Sequence, residues 1–270
     1  MSVPQRFRTL SILSGLLVVT GVGCNRREPS SVPIASKPTP APKTALPTPV
    51  LLGYVPTQKD FVFSPKPQKR VALTFDAGSD DKAVDLILTE LKKHDVKATF
   101  FLTGKFCEKF PAAVKKIADA GMEIGNHSFS HPKFTSLTSK QMLDQLNRAE
   151  QTIYKATGKT AKPLFRYPYG AHNKDVAAIV TNAGYQSIYW SVDSLDSVGK
   201  KKTPDFLAER VISKLQDGGI SLMHVSSVPS AEALPRIFAH LEKEGFKVVP
   251  VSELLREAQQ AVKRETGEAP

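Results

Sequence analysis

Cysteine is scarce in this 270-residue chain: there are two, Cys24 and Cys107, in very different surroundings. At most one bridge can form, which excludes a disulfide-stapled scaffold. No apolar run reaches the ~20 residues that a membrane-spanning helix needs; the longest, 10–22 (LSILSGLLVVTGV), is broken by Ser, Gly and Thr. No internal repeat is present. An excess of one charge sign is also missing from most of the chain. The net charge is +11, but residues 1–70 carry +8 of it, with 10 Lys and Arg against 2 acids. The +3 left for residues 71–270 is no electrostatic footprint for a phosphate backbone, so nucleic acid is not an expected partner. With 41% hydrophobic and 23% charged residues, the chain has enough apolar material for a sizeable core and is not disordered as a whole.

What is present begins with an N-terminal pattern. Arg6 and Arg8 precede the apolar run, which ends in Gly23-Cys24: a charged region, an apolar region and a small residue, the order of an export signal. Residues 1–23 are read as that signal. The segment resembles a bacterial lipoprotein signal in which Cys24 is the lipidated residue, with Gly21 where an aliphatic residue usually stands. An ordinary cleaved signal giving a secreted protein, or an uncleaved anchor, are the alternatives, and all three export the domain. Residues 28–70 hold ten of the chain's 20 prolines, a composition that favours an extended spacer. Residues 24–69 are therefore read as a Pro-rich linker, whose portion 51–63 regains apolar residues and is expected to pack as a strand or arm. The domain itself is placed at 70–258, and 259–270 is read as a polar C-terminal tail.

From Arg70 the chain alternates short apolar runs with helical periodicity. Strands are expected at 71–75 (VALTF), 97–102 (KATFFL), 122–126 (MEIGN), around 163–168 (PLFRYP), at 185–193 (YQSIYWSVD), 218–225 (GGISLMHV) and 246–251 (FKVVPV). Helices are expected over 80–95, 111–121, 139–157, 175–184, 204–215, 235–245 and from Ser252. About seven strands separated by helices in one unit predict a parallel α/β fold, doubly wound or closed into a barrel.

Chemistry in such folds gathers at the C-terminal ends of strands, and each strand end here delivers polar groups. They are Asp76 in TFDAG, His127 and His131 in HSFSHP, Arg166 and Tyr169 in RYPYG, Asp193 and Asp196 in DSLDS, and Leu222 and His224 in LMH. Two histidines four apart can reach one divalent metal, though alone the pair reads as well as two half-exposed imidazoles. Asp76 alone could cap the following helix. Arg166 alone could pair with a surface acid, and His224 alone could be a satisfied core histidine. Cys107, at a helix start, is expected to be a small buried residue without a redox role.

Together the five segments are similar to the motifs of the polysaccharide deacetylase family, carbohydrate esterase family 4, over about Val71 to Leu255. The family patterns are T-F-D-D-G, H-[ST]-x-x-H-P, R-x-P-Y-G, D-x-x-D-W and L-x-H. The resemblance implies a distorted (β/α) barrel of about seven parallel strands. It also implies a divalent metal, zinc first with cobalt, nickel or manganese as alternatives, and hydrolysis of N-acetyl groups on an amino-sugar polymer. It assigns His127 and His131 to the metal, Asp76 to the base and Arg166 to holding that carboxylate. The backbone N–H of Tyr169 is assigned to the oxyanion, His224 to the acid, Asp196 to tuning His224, and Leu222 to the acetyl methyl.

The sequence departs from the pattern twice: Ala77 replaces the usual carboxylate ligand, and Ser197 stands where the fourth motif has Trp. Asp80 or Asp81, in the same loop, are the carboxylates that could substitute. The expected function is metal-dependent deacetylation of a cell-envelope glycan, peptidoglycan first and a chitin-like polymer second, by a monomer that meets the membrane only through its N-terminal anchor. The alternative is a non-catalytic glycan-binding envelope protein on the same fold; a third reading is a related hydrolase of small amides. Tyr169, Phe129 and Trp190 are candidates for a sugar platform, with Trp190 better placed in the core.

Overall fold

Strand β1 (Arg70–Ala77) is buried along almost its whole length, and its near-continuous apolar run suits a strand covered on both faces. Its side chains alternate between two layers. Val71, Leu73, Phe75 and Ala77 enter the large cluster under the helices, while Ala72 enters a second cluster with Phe101, Leu164, Ile188, Ile220 and Leu254. Thr74 and Asp76, on the Ala72 side, are buried polar residues. The computed structural model in which this is seen describes residues 54–65 and 68–266. The expected export signal (1–23), Cys24 and most of the linker lie outside the described residues.

The remaining elements follow in βα order. They are α1 (Val84–Lys93), β2 (Thr99–Leu102), α2 (Gly104–Lys109), α3 (Pro111–Asp119), β3 (Glu123–Asn126), α4 (Ser139–Thr157), β4 (Leu164–Phe165), α5 (Lys174–Asn182), β5 (Gln186–Ser187), β6 (Val192–Asp193), α6 (Pro204–Lys214), β7 (Ile220–His224), α7 (Val228–Lys243), β8 (Lys247–Val248) and α8 (Val251–Thr266). Caps mark the boundaries. Thr138 and Gln141 form a reciprocal capping box on α4, which Gly158 ends in a left-handed conformation, as these residue types do. Thr103, Asn173, Thr203 and Ser227 each accept a backbone N–H at the start of a helix.

The strands form one parallel sheet in the order β5-β4-β3-β2-β1-β7-β6, with β8 also on β1. This is the distorted (β/α) barrel. Its closure differs from the strand expected at 185–193, which is two short strands rather than one. β5 lies on β4, β6 lies on β7, and the link between them carries the chain from one end of the sheet order to the other. Ile188 N donates to Phe165 O (2.7 Å) and Ser191 N to Ile220 O (2.9 Å). A segment that must leave one edge and join the opposite one within a few residues cannot keep a single strand's pairing. The arm before the barrel lies at this seam: Phe61 bridges to Ile188 and Phe63 to Gly219.

Two helix boundaries also differ from expectation. α7 begins at Val228 and contains Pro235, which the sequence suggested as its start; Ser227 supplies the earlier cap. α8 continues to Thr266, through part of the segment read as a polar tail. Cys107 is buried in α2, where burial pushes its thiol up to about 12, the state of an unreactive thiol. Among the described residues no helix is long and apolar enough to cross a membrane.

Candidate active site

Parallel register brings the strand-end residues together. Asp76 on β1 is opposite His224 on β7, and Asn126 on β3 is opposite Phe165 on β4, so that His127 and Arg166 leave adjacent strand ends. The residues surround a pocket of about 580 Å³. Asp76, His127, His131, Tyr169, Leu222 and His224 line it.

Asp76 is 5% exposed. Arg166 Nη1 donates to its Oδ1 (2.8 Å), and its Oδ2 lies 3.4 Å from His127 Nε2. Burial pushes the Asp76 carboxyl up, but the charge and hydrogen bond of Arg166, helped by His224, outweigh it and hold the group below its usual range. Arg166 is fully buried and spends its donors on Thr74 Oγ1 (2.8 Å), Ile188 O (3.1 Å) and Tyr189 O (3.1 Å) as well. Its guanidinium lies over the Phe101 ring.

His127 Nδ1 donates to the Arg166 carbonyl (2.9 Å), a contact that requires the proton on Nδ1 and leaves Nε2 with its lone pair. Burial is the first cause holding its pKa below the ordinary value. For His131 burial, aided by His127, lowers it to about 4. Both rings are therefore neutral at pH 7. They meet edge to face at 4.8 Å, and the Tyr169 ring also meets His131 edge to face, at 4.6 Å. The loop holding them is strained: Ser128 (φ 68°) and His131 (φ 61°) are left-handed, as are Tyr169 (φ 60°) and Leu195 (φ 65°) at neighbouring strand ends. Such conformations cost non-glycine residues about 1–2 kcal/mol each. Local bonds impose them, with Ser128 N donating to Asn126 Oδ1 and His131 N to Ser128 Oγ.

Across the pocket, His224 Nδ1 contacts Asp196 Oδ1 (2.7 Å) and its backbone N–H donates to Asp196 Oδ2 (2.9 Å). Ser230 Oγ donates to the same Oδ2 (2.6 Å), a contact with no sequence signal. Burial alone would lower the His224 pKa, but the hydrogen bond and charge of Asp196 raise it above the ordinary value.

Some expected residues are placed elsewhere. Asp80 pairs with Lys82 (2.9 Å), and neither Asp80 nor Asp81 lines the pocket. Ala77 is fully buried in the cluster under the helices. Trp190, expected in the core, lines the pocket instead, stacked on Tyr189 at 4.1 Å, because the seam breaks the strand's alternation there. Phe129 is 6% exposed beneath Arg148 and is no platform, whereas Tyr169 is 71% exposed. Asp193, Tyr167 and Ser197 also line the pocket.

Two neutral imidazoles beside a carboxylate oxygen form a donor set that suits a borderline divalent cation. Among the described residues no group of three His, Cys, Asp or Glu forms a ready metal cage. The residues present fit a cation held by two nitrogens, with other positions left to water and substrate.

The polysaccharide deacetylase family model matches residues 63–188. The peptidoglycan-N-acetylmuramic acid deacetylase PdaA of Bacillus subtilis is 35% identical over 191 residues, 70% of this chain and 73% of that protein. The peptidoglycan-N-acetylglucosamine deacetylase PgdA of Listeria monocytogenes is 33% identical over 82% of this chain and 45% of its own length. Among solved structures, BA3943 of Bacillus anthracis, described as a CE4 family pseudoenzyme, superposes with a TM-score of 0.70 at 35% identity, covering 74% of this chain and 70% of that one. A mutant of BA3943 is described as having restored enzymatic activity. With the barrel in place and the five motif segments brought to one pocket, two of them altered at Ala77 and Ser197, the chain belongs to the polysaccharide deacetylase family, carbohydrate esterase family 4.

Proposed function

We propose that the protein removes N-acetyl groups from amino sugars of peptidoglycan by hydrolysis, with Asp76 as base and His224 as acid. The observation that carries this reading is the pair of opposed groups in one pocket: a carboxylate held ionised by Arg166 and an imidazole held protonated by Asp196. Pairs of titratable groups whose environments push their pKa values apart mark acid and base roles.

An acetamide is a poor electrophile and water a poor nucleophile. A divalent cation held by His127 and His131, zinc by its donor chemistry and cobalt, nickel or manganese otherwise, supplies Lewis acidity for both when bound. Asp76 takes a proton from the attacking water. The Tyr169 N–H, which donates to none of the described residues, faces the oxyanion of the tetrahedral intermediate. His224 gives its Nε2 proton to the departing amine as the C–N bond breaks, leaving acetate and a free amino sugar. Leu222, on the pocket wall, receives the acetyl methyl. Residues 1–23 act as the export signal, Cys24 as the lipid attachment, and the part of 24–69 that precedes the arm as a spacer that lets a monomeric domain reach the wall.

The test is acetate release by the purified protein from peptidoglycan and from chitin oligomers, with and without added zinc, cobalt or manganese. Metal-dependent release from peptidoglycan is expected. Glycan binding with no acetate under any metal would establish the non-catalytic reading, which Ala77 and the similarity to a pseudoenzyme favour.

Two further outcomes follow from the site. Asp196→Asn removes the charge that raises the His224 pKa, so the alkaline limb of the pH–kcat profile should move to lower pH. An unmoved limb would exclude His224 as the acid. Ala77→Asp buries a carboxylate at the end of β1 and should lower the melting temperature of the metal-free protein, while zinc raises that temperature more than it does for the parent chain. Equal zinc shifts in the two proteins would show that position 77 does not face the cation.

A further inference from the structure

Asp60 lies on the arm, ahead of the segment matched by the family model, yet it reaches the active-site turn. One carboxylate oxygen accepts from Ser187 Oγ (2.7 Å) and the other contacts His172 Nε2 (2.9 Å). The second ring nitrogen of His172 contacts the Gly170 carbonyl (3.1 Å). The His172 ring also stacks on Tyr167 at 4.7 Å, nearly parallel. Gly170 therefore has its carbonyl gripped on one side. On the other it is pressed so closely by Tyr189 and Trp190 that an added Cβ would lie 2.5 Å from the Tyr189 hydroxyl and 2.9 Å from the indole. Tyr169, next in the chain, is left-handed and packs on His131.

We infer that Asp60 is a positioning residue for the deacetylation site: through His172 it fixes the turn Pro168–Gly170, and so the Tyr169 N–H and the contact of the Tyr169 ring with His131. A strained turn holds its conformation only while its surroundings over-determine it. Here the surroundings are two clamps, the aromatic pair and the Asp60–His172 brace. Losing the brace lets the turn relax, and displacement of a catalytic donor by a fraction of an ångström costs rate more than binding. The arm thereby sets the site's activity as well as the barrel's closure. The rate part of this inference rests on the deacetylase reading; the structural part does not.

Trp190 is the sole tryptophan of the chain and touches the turn, so its fluorescence reports the turn directly. Full-length Asp60→Ala and His172→Ala should each change Trp190 emission and acrylamide quenching. Each should also lower kcat roughly tenfold with KM for the glycan little changed. The double variant should lose no more than either single, because the two act as one unit. Asp60→Asn, which keeps one acceptor oxygen, should recover part of both signals. Thr181→Ala removes another arm contact, its hydroxyl bond to the Thr57 carbonyl, and should change neither. Unchanged Trp190 signals in both single variants overturn the inference, as do additive losses or equal effects from Thr181→Ala. If the parent protein releases no acetate, the deacetylase reading fails while the fluorescence still decides whether Asp60 holds the turn.

Discussion

Asp76→Asn is expected to reduce acetate release by about 10³-fold, within the 10²–10⁴ range of a positioned general base. The change is nearly isosteric. Asparagine keeps an oxygen for Arg166 Nη1, and its amide nitrogen can turn toward the His127 Nε2 lone pair, where the carboxylate oxygen now lies at 3.4 Å. What disappears is the ability to accept a proton. A loss confined to kcat, with glycan binding retained and circular dichroism unchanged, identifies Asp76 as the base. Rates equal to those of the parent chain would mean either that another group takes the proton or that the release is a contaminant's. In a protein that only binds glycan, neither form releases acetate and both bind alike.

Arg166→Met should produce the largest loss of stability. Arg166 is fully buried and joins three parts of the barrel: Thr74 and Asp76 on β1, its own position after β4, and the carbonyls of Ile188 and Tyr189 in the seam. Methionine fills the volume but leaves the Asp76 charge uncompensated. Breaking a buried pair from one side costs about 3–5 kcal/mol, or on the order of 10 °C in melting temperature for a domain of this size. Combining it with Asp76→Asn should recover a good part of the loss, because the stranded charge is gone. The pH dependence has a definite sign. In the parent chain the folded carboxyl is held below its unfolded value, so its stabilisation is present above the unfolded pKa and lost as pH falls through the folded one. In Arg166→Met burial acts on the carboxyl without its main counterweight, the folded pKa rises, and the deficit should shrink as pH falls. A deficit independent of pH, with no recovery in the double variant, would assign the loss to packing over Phe101 instead.

The sequence reading located the strand ends that carry Asp76, His127, Arg166, Asp193 and His224, because the apolar runs of a parallel sheet and the polar residues after them are both local signals. α4 was legible at both ends for the same reason, with Thr138, Gln141 and Gly158 all in sequence range. Closure of the barrel was not. Nothing within YQSIYWSVD shows that its first residues pair with β4 and its last with β7, since that depends on where the other strands end. The misplacement of Trp190 follows from the same break. Asp80 and Asp81 looked available for a cation because they share a loop with Asp76, but a local lysine, Lys82, takes Asp80. The brace from Asp60 to His172 spans more than a hundred residues, and its two members belong to none of the motifs that carried the family resemblance. Pairings at that separation leave no periodic trace.

The alternation along β1 divides two tasks as well as two sets of side chains. The residues that hold the barrel together face the helices, whereas most of those that line the pocket hang from strand ends, where the sheet asks little of them. Arg166 is the exception: outside the pocket lining itself, it holds Asp76 at the pocket and ties β1 to the seam. Substitutions at the rim can therefore change the chemistry of the pocket while leaving the packed layers as they are. Ala77 lies on the other side of that divide, buried among apolar neighbours in the helix-facing layer, so a carboxylate placed there is felt first by the packing of the barrel.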